Sequence, residues 1–179
     1  EKLTCVVPLT LGIIIILLFL NFRRFAEVGI IMGTLPFAMI GAIWLMYLLG
    51  YNFSVAVGVG FIALAGVAVE IGVIMLVYLN QSYEEMLQTC KEKGATPRRE
   101  TLRLAVLHGA GLRVRPIMMT AAAIIGGLVP IMVSTGTGSE VMGRIAAPMV
   151  GGMISAVILA LLVIPVGYYL WKCRSFSEG

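Results

Sequence analysis

The chain has 179 residues, of which 60% are hydrophobic and only 12% charged, with a net charge of +4. Soluble domains are nearer half apolar and a quarter charged, and a domain of this size in water still needs a polar surface. A mean hydropathy of +1.02 therefore excludes that class and points to an all-α polytopic membrane protein.

Crossing a bilayer takes about 20 apolar residues as helix, and helices are the only choice for such runs because lipid satisfies no backbone groups. Five runs qualify, at 4–21, 28–49, 54–79, 116–135 and 141–171. They divide the chain into three transmembrane helices (1–80), a polar connector (81–115), two more helices (116–171) and a tail (172–179). The first run has Pro8 early and no small-residue cleavage site, so it is not a signal peptide. After it comes "NFRRFAE", with Arg23 and Arg24. The second run carries Met32, Met39 and Met46 at seven-residue spacing, on one helix face, and a G-x-x-x-G at Gly29 and Gly33, a weak packing signal by itself. A short turn, "GYNF", leads into the third run.

That third run contains "GFIALAGVAVEIGVIMLVYL", residues 60–79, whose single charge is Glu70. A charge at the bilayer centre costs about 2.5–3.5 kcal/mol on insertion scales. Burial disfavours the anion, so such a carboxyl can take and give a proton near neutral pH, which is what a proton-coupled transporter needs. The bland alternative is a protonated or paired glutamate that bridges helices. Gly66, Ala68 and Gly72 beside it admit another helix closely. No ionisable residue of the other four runs sits at comparable depth, so the partner of Glu70 is expected outside this chain.

The connector holds Lys91, Lys93, Arg98, Arg99, Arg103, Arg113 and Arg115. Within it, Thr96 as N-cap and Pro97 at the first helical position start a helix, with Leu102, Ala105, Val106 and Gly109 on one face and Arg99 and Arg103 on another. The pattern predicts a cytoplasmic amphipathic helix lying at the interface, its arginines on anionic lipid headgroups. His108 stands alone at this boundary. The fourth run ends in "STGTGSEVMGR", a flexible turn in which Glu140 and Arg144 stand at i, i+4. The fifth run carries Met142, Met149 and Met153 on one face. Thioethers suit Cu(I) and similar soft cations, but methionine is also a common apolar filler. Pro36, Pro130, Pro148 and Pro165 interrupt or kink the runs, which membrane helices tolerate. The tail adds Lys172 and Arg174.

If five helices alternate, eleven of the thirteen Lys and Arg share one side, with only Lys2 and Arg144 opposite. The positive-inside rule makes the basic side cytoplasmic, so the N-terminus faces outward, the C-terminus inward, and something is expected to precede residue 1. Topology accounts for the basic residues without nucleic acid. Cys5, Cys90 and Cys173 read as scattered free thiols. No G-x-x-x-x-G-K-[ST] supports an ATP-driven pump, and no Ser/His/Asp arrangement suggests hydrolysis. No bound cofactor is expected.

"GFIALAGVAVEIGVIMLVYL", "HGAGLRVRPIMMT", "GLVPIM" and "TGTGSEVMGRIAAPMVGGMISAVILALLVIPVGYYLW" together closely resemble the resistance–nodulation–division (RND) transporters, and within them the heavy-metal efflux branch of the CusA type, which exports Cu(I) and Ag(I). The resemblance covers nearly the whole chain. It implies two repeats of six membrane helices, a pseudo-symmetric plan typical of transporters, of which this chain resembles helices eight to twelve. It also implies a proton-driven homotrimer in the bacterial inner membrane, working with a periplasmic adaptor and an outer-membrane channel. Glu70 falls on the glutamate of the family's proton relay, a residue that favours the monovalent branch. Met142 matches a methionine of the intramembrane metal relay. One departure stands out: the CusA type has a lysine directly after "RVRP", where this chain has Ile117. Export of divalent metals or organic compounds, and a non-catalytic membrane scaffold, remain as other readings.

Overall fold

The computed structural model describes residues 2–177, and these form five helices: α1 (Lys2–Phe22), α2 (Phe25–Leu49), α3 (Val55–Glu92), α4 (Arg99–Val133) and α5 (Ser139–Ser177). All five are long and apolar enough to cross a membrane, as the apolar runs predict. Pro36, Pro130, Pro148 and Pro165 lie inside continuous helices rather than ending them.

Each boundary has a local cause. Between α1 and α2 the chain turns at Arg23, a non-glycine residue at φ 55°, a left-handed conformation that costs such a residue some strain. α2 ends at Gly50, φ 68°, where the Gly50 N–H donates to the Tyr47 carbonyl and the Tyr51 N–H to that of Met46. This is the paired closure that a left-handed glycine permits. Ser54 then caps α3, its hydroxyl oxygen accepting from the Val57 N–H at 3.4 Å. Gly94, φ 61°, closes α3 in the same way as Gly50, with the Ala95 N–H on the Cys90 carbonyl at 2.9 Å.

α5 is the hub, packing on α2, α3 and α4, whereas α1 packs on α2 alone among the described residues. The α2–α5 crossing is close. A Cβ placed on Gly151 would lie 2.6 Å from the Gly41 carbonyl oxygen, and one on Gly41 would meet the Gly151 carbonyl oxygen at 2.6 Å. Such backbone proximity is what small residues provide between helices in lipid. The Ser155 hydroxyl donates across this crossing to the Ala38 carbonyl at 3.2 Å. Gly29 and Gly33, by contrast, have open space where a side chain would be, so the G-x-x-x-G marks no contact here.

The connector departs from expectation. The predicted amphipathic stretch is helical, but it is not a separate interfacial element. α3 runs on to Glu92, the chain turns through 93–98, and α4 starts at Arg99, with Arg98 rather than Thr96 at the N-cap. From there α4 continues unbroken through Pro116. Its Leu102, Val106 and Gly109 stripe is buried, and Gly109 sits against Ser82 and the Tyr78 carbonyl of α3. The apolar face packs on a neighbouring helix, α3, which extends to Glu92. Arg103 remains exposed on the other face. Residues 81–115 therefore comprise the end of α3, the turn at 93–98 and the start of α4, and α5 likewise runs past 171.

Candidate functional site

Glu70 lies midway along α3 and is exposed in this bundle. Gly66 and Ile62, one and two turns earlier on the same face, are exposed too, and a Cβ on Gly66 would touch nothing within 4 Å. The opposite face of α3 is shut: Ala68, Ile71, Met75 and Leu76 are core residues, and Gly72 packs on Ile31 and Thr34 of α2. The sequence predicts close packing at Gly66, Ala68 and Gly72 alike; the bundle uses Ala68 and Gly72 and leaves Gly66 open beside the carboxylate.

A narrow cleft between α3 and α4, about 70 Å³, is lined by Glu70, Ile71 and Ile74 on one side and Arg113, Ile117 and Thr120 on the other. The side chain at 117 borders the same cleft as Glu70, and Ile117 fills that place with a buried aliphatic group at 3% exposure. Arg113, one turn earlier on the same face of α4, brings a cation into the cleft. Sequence depth alone placed no cation of this chain near Glu70; the i, i+4 relation of Arg113 to Ile117 is the signal that was available. The Arg113 guanidinium lies over the Tyr78 ring, 4.9 Å from its centroid, a cation–π arrangement. Its Nε is buried without a hydrogen-bond partner among the described residues.

Met142 stands in the first turn of α5 and is 56% exposed. On the face it shares with Met149 and Met153, Met153 is a core residue at 1% exposure. On α2, Met39 and Met46 line a groove of about 600 Å³ with Tyr47, Tyr51 and Phe61, while Met32 packs on the core. Among the described residues no group of three or more His, Cys, Asp or Glu could hold a metal ion.

A second polar constellation, absent from the sequence reading, joins α2, α3 and α5. Glu27, in the first turn of α2, is 3% exposed and Lys172, near the end of α5, is 6% exposed. The Asn80 amide Nδ2 donates to Glu27 Oε1 at 3.3 Å, and the Tyr168 hydroxyl donates to Asn80 Oδ1 at 2.6 Å. Glu27 Oε2 is buried with no partner among the described residues. The Lys172 ammonium sits over Tyr83 and Trp171, 4.2 and 4.7 Å from the ring centroids. All these residues lie at the edges of apolar runs, where polar side chains look like ordinary boundary residues.

The sequence profile of the AcrB/AcrD/AcrF family matches residues 1–172. SilA of Salmonella typhimurium, which carries the name of a cation efflux system protein, is 54% identical over the whole chain, which covers 17% of that protein. The cation efflux system protein CusA of Escherichia coli (strain K12) is 53% identical over 97% of the chain and 16% of its own length. The cobalt-zinc-cadmium resistance protein CzcA of Cupriavidus metallidurans is 37% identical over 94% of the chain and 15% of its own length. The chain thus spans about a sixth of the curated relatives it matches. Among solved structures, the crystal structure of a heavy metal efflux pump superimposes with a TM-score of 0.79 at 35% identity, covering 97% of this chain and 16% of that one.

Proposed function

This chain belongs to the AcrB/AcrD/AcrF family, the RND transporters of the sequence resemblance, and from that premise we propose that it is the last five membrane helices of a proton-driven heavy-metal exporter of the bacterial inner membrane. The cargo is Cu(I) or Ag(I), taken as substrate and exchanged for protons. The whole transporter is a homotrimer that works with a periplasmic adaptor and an outer-membrane channel. The basic helix ends and the tail face the cytoplasm, by the positive-inside rule.

One observation carries this reading: Glu70, the single carboxylate of the apolar run 54–79, is exposed on the open face of α3. Facing hydrocarbon, that group would cost several kcal/mol. It is affordable only where other polypeptide or water meets it, and a protonatable group in that place is the natural carrier of the proton. Arg113 in the same cleft supplies a nearby cation. The greater identity to SilA and CusA than to CzcA favours monovalent cargo over divalent. Met142 is the candidate for passing metal, its exposed thioether available to a second sulfur from elsewhere in the transporter.

The test uses the transporter that carries this chain. Glu70→Gln, at wild-type membrane levels, is expected to abolish Ag(I) resistance; unchanged resistance removes Glu70 from the mechanism. Parallel assays with Zn(II) and with organic dyes decide the cargo, and transport of either in place of Ag(I) overturns the monovalent assignment.

A further inference from the structure

We propose that Glu27 is a second proton-exchanging residue of the transport cycle, seated where α2, α3 and α5 meet at the basic end of the bundle and separate from the Glu70 cleft. The proposal rests on the proton-driven reading above.

Three features of the site argue for exchange over simple structural bracing. First, the carboxylate is oriented from two other helices. Asn80 donates to Oε1, and Tyr168 in turn fixes the Asn80 amide by donating to its oxygen, so the amide cannot flip without losing both bonds. Second, that orientation leaves Oε2 as the one free atom, buried and without a partner among the described residues. An orphaned buried acceptor costs about 1–3 kcal/mol and calls for a function or a transient partner. Third, the cation best placed to neutralise Glu27 is held elsewhere. Lys172 lies close enough to act on Glu27 electrostatically, but its ammonium is held over the Tyr83, Trp171 and Tyr168 rings. A buried carboxylate locked in an ion pair is braced; one whose cation is held aside on aromatic faces is free to change its protonation state.

The groups that face Glu27 come from each neighbouring element. Arg24 precedes it and reaches over Trp171 at 5.8 Å; α3 contributes Asn80, with Tyr83 and Glu84 further along; α5 contributes Tyr168 and Lys172. The step is a proton transfer and balances simply. Oε2 takes a proton from a hydronium ion that reaches it from the outer side, so one O–H bond of the hydronium breaks as one O–H bond forms on Oε2 and water is left. Oε2 later returns that proton to water at the basic end, and no electrons change hands. Because Oε2 is enclosed by α2, α3 and α5, uptake and release each need these helix ends to part, which ties the protonation state to helix packing.

The test is Glu27→Gln in the transporter that carries this chain, reconstituted in lipid vesicles, with Ag(I)-dependent proton flux followed across pH 5.5–8. Glutamine keeps the shape and the acceptor for Asn80 but cannot exchange a proton. The expected result is a coupled rate lowered by about a hundredfold or more, on the scale of losing one acid–base group, with the wild-type pH dependence flattened and Glu27→Asp restoring part of both. A glutamine variant with the wild-type rate and pH profile overturns the proposal and leaves Glu27 a helix brace. Should the glutamine variant not fold, the aspartate variant decides: a displaced pH profile supports exchange and an unchanged one overturns it. If the wild-type protein moves Ag(I) with no proton flux at all, the proton-driven reading itself has failed, an outcome separate from the other two.

Discussion

Glu70 and Glu27 are two carboxylates on neighbouring helices that present opposite problems. Glu70 sits deep in an apolar run, yet its side chain is exposed in this bundle. Glu27 sits at a helix start, next to two arginines, yet it is sealed among three helices. Depth along the sequence and burial in the fold are different quantities. The first tells what a charge would cost in lipid; the second tells which protein groups answer it. Glu70 asks for partners beyond the described residues, whereas Glu27 has its partners at hand and still lacks one for Oε2.

Substitutions can break or sharpen this contrast. The largest effect is expected from Glu70→Gln, which should abolish proton-coupled export while leaving the protein assembled, since an exposed side chain contributes little to packing here. Residual export above a tenth of wild type, measured as Ag(I) uptake into inverted vesicles, would weaken its special position. Next comes the frame that holds Glu27. Gly151→Val drives a side chain into the Gly41 carbonyl, and overpacking of this kind costs about 1–3 kcal/mol. Thermal unfolding in detergent should show a clear loss; an unchanged midpoint would mean α2 and α5 can separate freely. A smaller effect is expected from Tyr168→Phe, which deletes the part-buried hydrogen bond to Asn80, for about 0.5–1.5 kcal/mol. The same melt should register this loss, and proton flux should show the Glu27 pH dependence displaced with that of Glu70 intact. The smallest belongs to Met142→Leu, which keeps volume and removes the thioether. Ag(I) efflux should slow a few-fold with no change in assembly, and a wild-type rate would return Met142 to packing.

Much of this molecule is legible in its sequence. Five apolar runs became five helices because hydrocarbon leaves the backbone no alternative, and Gly50 and Ser54 close and open helices at the turn between the second and third runs. Glu70 could be singled out because one charge in an apolar run is conspicuous. The connector was harder. An apolar stripe with an arginine face reads equally as a lipid-lying helix or as one that packs on protein, and only the length of α3 past residue 79 decides it. The Arg113–Glu70 cleft and the Glu27–Asn80–Tyr168–Lys172 group escaped for a common reason. Their members lie far apart in the chain, and helix rotation, not composition, determines which of them meet. Glycine spacing is a weak guide for the same reason: Gly29 and Gly33 face open space, while Gly41 and Gly151, in no motif together, bring α2 and α5 into close backbone contact.

The most direct test of the central claim is proton flux accompanying Ag(I) movement in vesicles holding the complete transporter, compared between wild type and Glu70→Gln at equal protein. The account predicts Ag(I)-dependent proton flux in the wild type and none above background in the variant. Undiminished flux through the glutamine variant would contradict it.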